Sequence, residues 1–215
     1  VQAYFAYDSK KSGGVTISHL RFGKKPIKST YFINKADFVA CHNASYVGKY
    51  DMTDDLKDGG TFLLNCQWSE AELERHLTAK IKRDLATKNA KFYIIDGVDI
   101  AKEIGLGGRI NTILQSAFFA LTKIIPIEDA IDFMKKAAYK SYGRKGEKIV
   151  NMNYAAIDRG ATGFKEVKVP AEWANAKDET VETVVTGDRP ELVKFVKDIL
   201  NPVSAQKGYD LPVST

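Results

Sequence analysis

Two serines and two lysines stand together at Ser9-Lys10-Lys11-Ser12, followed at once by Gly13 and Gly14. Ammonium groups, hydroxyls and the backbone N–H groups that glycine leaves accessible are the donors a phosphate requires, so this stretch has the makings of an anion site. A solvated hairpin loop has the same composition. A second set follows the run Gly105-Leu106-Gly107-Gly108. Arg109, Asn111 and Thr112 open a predicted helix whose N-terminal N–H groups and positive dipole end favour an anion. The glycines themselves follow a short helix rather than a strand and lack GxGxxG spacing, so a sharp turn accounts for them. His42, Asn43 and Ser45 come directly after a predicted core strand, where open parallel sheets bind ligands, although a polar loop satisfying its own backbone reads alike.

Other chemistry is poorly supported. His19 falls within a predicted strand and His76 on a charged helix, neither with a sequence neighbour that would make a catalytic pair. No set of nucleophile, base and acid emerges, and no catalytic residue is assigned. Cys41 and Cys66 each end an apolar run and form no CxxC pair, which fits buried free thiols. No histidine, cysteine or carboxylate cluster has metal-ligand spacing, so no metal is expected on this chain.

The elements that must carry these residues read as α/β. The chain has 215 residues, 44% hydrophobic and 27% charged, with 32 basic against 27 acidic residues for a formal net charge of +5. That length suits one well-buried α/β domain with residues to spare. The mild, dispersed positive charge suits anionic ligands without calling for nucleic acid, and no apolar run is long enough to span a membrane. Because the chain starts at Val1 without methionine, it is expected to be an excised fragment.

Ala3 to Tyr7 and Val15 to Phe22 are predicted strands on either side of the lysine loop, and residues 23–29 a basic turn around Pro26. Residues 36–41 and 61–66 are predicted core strands. Ser69 and Glu72 form a capping-box pattern that should start one helix running to Asn89, with Leu73, Leu77, Ile81 and Leu85 as its apolar stripe. Residues 91–96 complete a strand-helix-strand unit of the kind parallel sheets require. Helices are then predicted over 98–104, 109–125, 127–143 and 146–158, the last stopped by Gly160. Residues 164–182 contain Pro170 and Trp173 without core periodicity, and 190–200 is an isolated amphipathic helix candidate. The expected division is an α/β domain over 1–160 and, over 161–215, a linker with the start of a small following domain.

Five stretches carry a family resemblance: DSKKSGGVTISHLRFG at 8–23, ADFVACHNASYVGKYD at 36–51, TFLLNCQWS at 61–69, IGLGGRINTI at 104–113 and GEKIVNMNYAAID at 146–158. Together they resemble the central gamma-type domain of the pyruvate:ferredoxin (flavodoxin) oxidoreductases, and the closing stretch 190–214 resembles the connection into the small domain that follows. The resemblance implies a Rossmann-like three-layer α/β sandwich with a mostly parallel sheet, N-terminally truncated by the absence of a first strand and its glycine-rich turn, plus a less regular C-terminal linker. It implies a cytoplasmic parent enzyme that is a homodimer and joins pyruvate to coenzyme A with electrons passing to ferredoxin or flavodoxin. Thiamine diphosphate, magnesium and [4Fe-4S] clusters would be held by other domains of the same polypeptide, leaving this piece inactive alone. Within it, the resemblance implies part of the coenzyme A site: Lys10 and Lys11 as phosphate partners with Ser12 in the same loop, Asn111 and Thr112 as polar contacts, and Arg109 beside them. The alternative is a structural module that only docks the catalytic domains.

Overall fold

A computed structural model describes residues 1–8, 13–178 and 184–214. The chain opens with an antiparallel hairpin, β1 (Gln2–Tyr7) and β2 (Thr16–Arg21), in which Tyr7 pairs with Thr16 and Asp8 N–H donates to Val15 O at 3.0 Å. The two strands form their own sheet, separate from the main one. A lone hairpin is marginal in water. Here the segment around Ser29 to Ile33 covers one face: Gln2 Nε2 and Tyr4 Oη both donate to Ser29 O at 2.7 Å, and His19 stacks on Phe32 at 4.7 Å. The other face leaves Phe5, Tyr7 and Leu20 exposed.

The main sheet has the order β3 (Ala36–Cys41), β4 (Leu56–Asn65), β5 (Lys91–Ile95), β6 (Phe164–Val167). The first three strands are parallel and β6 is antiparallel to β5. Side chains alternate across a strand, so an apolar run buries both faces. Phe62 and Leu64 of β4 join one core with Phe92, Leu73, Leu77, Ile81 and Leu85, while Leu63 joins the opposite core with Ile95, Ile113, Leu114 and Ala156. This is the expected three-layer α/β arrangement with a mostly parallel sheet.

The single helix expected over 70–89 is two, α1 (Glu70–His76) and α2 (Ala79–Thr87). The backbone is extended at Leu77, and Thr78 restarts the helix by accepting from Ile81 N–H at 3.3 Å. In an unbroken helix, residues four apart drift by about 40° per step, so the stripe would turn away from the sheet. The break keeps Leu73, Leu77, Ile81 and Leu85 all buried. Asn89 does end the second helix, with a positive φ of 47°.

The opposite layer holds α3 (Gly97–Glu103), α4 (Asn111–Thr122), α5 (Ile127–Tyr142) and α6 (Glu147–Thr162). Gly160 does not stop α6. It lies inside that helix, where a Cβ would stand 2.3 Å from Ile113 O, so glycine is what lets α6 lie against α4. Ser116 Oγ donates to Ile157 O at 2.6 Å across the same contact.

The sheet also continues past residue 160, where a linker was expected. Strand β6 is its fourth member, and a 3-10 turn at Ala171–Asn175 seats Trp173 in the core at 5% exposure. Its indole N–H donates to Glu74 Oε2 at 2.6 Å, and the nearly buried Lys82 donates to Glu74 Oε1 at 2.6 Å. One short strand and one tryptophan carry no periodicity, which is why this part was unreadable from pattern alone. Farther on, α7 (Pro190–Phe195), a π-helical stretch at Val196–Leu200 and α8 (Asn201–Ser204) run on continuously with no buried residue. An ion pair from Lys207 to Asp51 at 3.1 Å joins the segment after them to the body. Among the described residues no helix is long and apolar enough to cross a membrane.

Trp173→Ala should lower stability by about 3–5 kcal/mol in urea denaturation, as expected for a core aromatic; a loss below about 1 kcal/mol would place it outside the domain. Gly160→Ala should cost about 3 kcal/mol in the same assay, because the added methyl meets backbone rather than a movable side chain.

Candidate functional site

The carboxyl ends of the parallel strands β3, β4 and β5 open into three polar loops, and a crevice of about 360 Å³ lies between them. This is where ligands bind in open α/β sheets. Asn65, the last residue of β4, is 5% exposed and fastens the three strand ends together. Its Nδ2 donates to His42 O at 2.9 Å, and its Oδ1 accepts from Gly97 N–H at 2.8 Å. The loops above are shaped by their own caps. Asn43 Oδ1 accepts from Ser45 N–H at 3.0 Å, Asp96 Oδ1 accepts from Asp99 N–H at 2.8 Å to start α3, and Glu72 accepts from Ser69 N–H and Oγ–H, both at 2.8 Å, to start α1. Trp68 lies half-buried along the crevice with its ring stacked on His76 at 4.2 Å.

The crevice holds little positive charge. Desolvation by the surrounding protein lowers the His42 pKa, so its imidazole is neutral at pH 7. Burial raises the thiol pKa of Cys66, which lines the crevice, and pushes that of Cys41, below the His42 loop, up to about 11; both stay protonated at neutral pH. Neither is an activated nucleophile. The described cysteines are free and buried, and no group of three or more histidine, cysteine or carboxylate residues among the described residues is arranged to hold a metal ion.

Lys10, Lys11 and Ser12 lie outside the described residues. Arg109 is exposed and precedes α4 rather than opening it; the helix begins at Asn111, which is exposed, with Thr112 half-buried in its first turn. Ile110, between them, lines the crevice, whereas Arg109, Asn111 and Thr112 are its chain neighbours and are not among the lining residues. No side-chain hydrogen bond caps α4, so its first N–H groups are not taken up by a side chain. His42 and Asn43 stand in the crevice wall as expected for a loop after a core strand. Gly105 and Gly107 take positive φ of 82° and 64°, which makes the glycine run a turn between α3 and α4. Sequence reasoning passed over Asn65, Trp68 and Asp96. The available signal was polar or aromatic residues at the end of apolar strand runs.

A three-layer α/β domain with a polar crevice at the carboxyl ends of its parallel strands is a ligand-binding architecture. The family model described as pyruvate ferredoxin/flavodoxin oxidoreductase matches residues 1–163, and the chain belongs to that family. It is 55% identical over 214 residues to the pyruvate:ferredoxin oxidoreductase of Moorella thermoacetica, a match covering 100% of this chain and 18% of the relative. It is 51% identical to the pyruvate-flavodoxin oxidoreductase of Klebsiella pneumoniae over 99% of the chain and 18% of that protein. The pyruvate dehydrogenase [NADP(+)] of Cryptosporidium parvum is 46% identical over all of this chain and 12% of its own length. This chain thus spans less than a fifth of the length of these relatives. The solved structure of the pyruvate oxidoreductase subunit PORC of Thermotoga maritima superposes with a TM-score of 0.58 at 18% identity, covering 78% of this chain and 81% of that one. That likeness concerns the fold.

The raised thiol pKa of Cys41 has a sign that stability should follow. The unfolded thiol ionises near 9 and the folded one near 11, so between those values the unfolded state alone loses the proton and stability falls as pH rises. Urea denaturation at pH 8.5 and pH 11 should differ by roughly 2 kcal/mol more in the native sequence than in Cys41→Ala.

Proposed function

We propose that this chain is part of an enzyme that converts pyruvate and coenzyme A to acetyl-coenzyme A and carbon dioxide, with electrons passing to ferredoxin or flavodoxin, and that its own task is to help bind coenzyme A. The observation that carries the reading is the 55% identity, over the whole chain, to a protein named for pyruvate and ferredoxin. Phosphates of the coenzyme would be held by Lys10 and Lys11, with Ser12, Arg109, Asn111 and Thr112 as further polar partners. Support for this comes from the uncapped start of α4 and the exposed guanidinium of Arg109 beside a crevice. A dianionic group suits ammonium groups and the N–H donors of a helix start.

Thiamine diphosphate, magnesium and [4Fe-4S] clusters belong to this proposal only as groups held by other domains of the polypeptide. Two buried, protonated cysteines do not make a set of cluster ligands, and no group of three or more histidine, cysteine or carboxylate residues among the described residues is arranged to hold a metal ion. The contribution of this chain is therefore positional. Holding the coenzyme so that its thiol is presented to a reacting partner is a proximity effect, which needs no acid or base from this domain. A homodimeric parent in the cytoplasm is part of the same proposal.

A docking role is favoured by a separate observation, the exposed outer face of the hairpin, where Phe5 and Tyr7 stack at 6.4 Å beside Leu20. The two roles are separated by Lys10→Ala/Lys11→Ala. In a full-length enzyme carrying this domain, the double substitution should raise the KM for coenzyme A at least tenfold and leave that for pyruvate within twofold. An unchanged coenzyme A dependence overturns the binding role and leaves docking.

A further inference from the structure

The outward face of α5 carries charges in a fixed order around one aromatic ring. The helix packs on its neighbours through Ala130, Met134 and Ala138, which are buried. At about 100° per residue, Asp129, Phe133, Lys136 and Lys140 form a stripe on the side away from that contact, and all four are exposed. Their spacings of four, three and four are those of a helix-pairing seam. Phe133 is 58% exposed, and its ring meets no other aromatic ring or cation among the described residues.

The two ends of the stripe are opposite in sign. Asp129 stands in the first turn of α5 and Lys140 in the last. The helix dipole favours that order, but the preference concerns the ends and not the ring between them. Lys136 pairs with Asp132 at 2.6 Å along the helix, whereas Asp129 and Lys140 form no ion pair among the described residues. A second α5 laid antiparallel, with a twofold axis between residues 134 and 135, sets Asp129 of each copy against Lys140 of the other. The same register lays each Phe133 ring on the alkyl stem of a Lys136. A parallel pairing would set like charge on like charge. A phosphate-rich surface or a wholly acidic partner meets repulsion at the acidic half. A reversed copy of the same stripe satisfies both halves.

We propose that the outward face of α5 is a docking surface for a second copy of this chain, paired antiparallel through Asp129, Phe133, Lys136 and Lys140. One helix against one helix falls short of the about 1,200 Å² that stable interfaces bury, so the association is weak and is suppressed by salt. The inference rests on the charge order of this helix and goes beyond the coenzyme A reading. A parent dimer held by other domains neither needs it nor supports it.

The test is sedimentation velocity of the 215-residue chain across rising concentration, at low and at high salt. The native chain should form a dimer at low salt that high salt weakens at least tenfold. Asp129→Lys and Lys140→Asp should each weaken the dimer at least tenfold, and Phe133→Ala at least threefold. An equimolar mixture of the two charge variants should dimerise within threefold of the native chain, because one copy then has two basic stripe ends and the other two acidic ones. These positions are exposed, so the variants keep the fold, which circular dichroism checks. A native chain that stays monomeric, charge variants that dimerise as the native chain does, or a mixture no tighter than its components overturns the proposal. Poly-L-glutamate bound by a monomeric native chain and lost in Lys140→Asp overturns it in favour of an acidic partner.

Discussion

One buried amide holds the crevice end of this domain together. Asn65 sits where β4 ends, and its two polar atoms reach a carbonyl after β3 and an N–H after β5. Three parallel strands that would otherwise splay into separate loops are thereby tied at one level. The loops then diverge above that tie, which is what leaves a crevice between His42, Trp68 and Asp96. An amide buried this deeply is stabilising only while both ends are paired, because an orphaned donor or acceptor costs about 1–3 kcal/mol. The tie and the crevice therefore stand or fall as a unit.

The second wall of the site depends on how closely two helices approach. Gly160 removes the side chain that would collide with Ile113 O, and α6 settles against α4. Ile113 lies in the first turn of α4, so this contact sets where that helix begins relative to the sheet. The start of α4 follows Ile110 at the crevice edge, with Arg109 just outside. A packing constraint in the far part of the chain thus positions polar groups that the sequence places fifty residues earlier, near residue 110.

The domain also needs residues beyond the family match, which ends at 163. Strand β6 begins at Phe164 and covers the edge of β5, and Trp173 closes the core beside α2 through Glu74 and Lys82. The relatives align over the whole chain, including these residues. From Pro190 the character changes, because the helical stretch from Pro190 to Ser204 buries nothing.

By itself the sequence determined the elements whose stability is local or strongly periodic. Strand β3 is bounded as its apolar run is, the Ser69 and Glu72 capping pattern starts α1, and the glycines near 107 form a turn. It also determined the family, since five stretches carry enough specific residues to recognise it. Tertiary structure alone decided the rest. The break at Leu77 exists because a stripe of spacing four must stay on a flat sheet, and Gly160 is helical because a neighbouring backbone needs its space. Strand β6 forms because β5 offers an edge, not because four residues prefer to be a strand. Asn65, Trp68 and Asp96 belong to one crevice only because parallel strands set side by side bring residues 65, 68 and 96 to the same end. Local patterns report what a segment prefers; these features are set by what stands across from it.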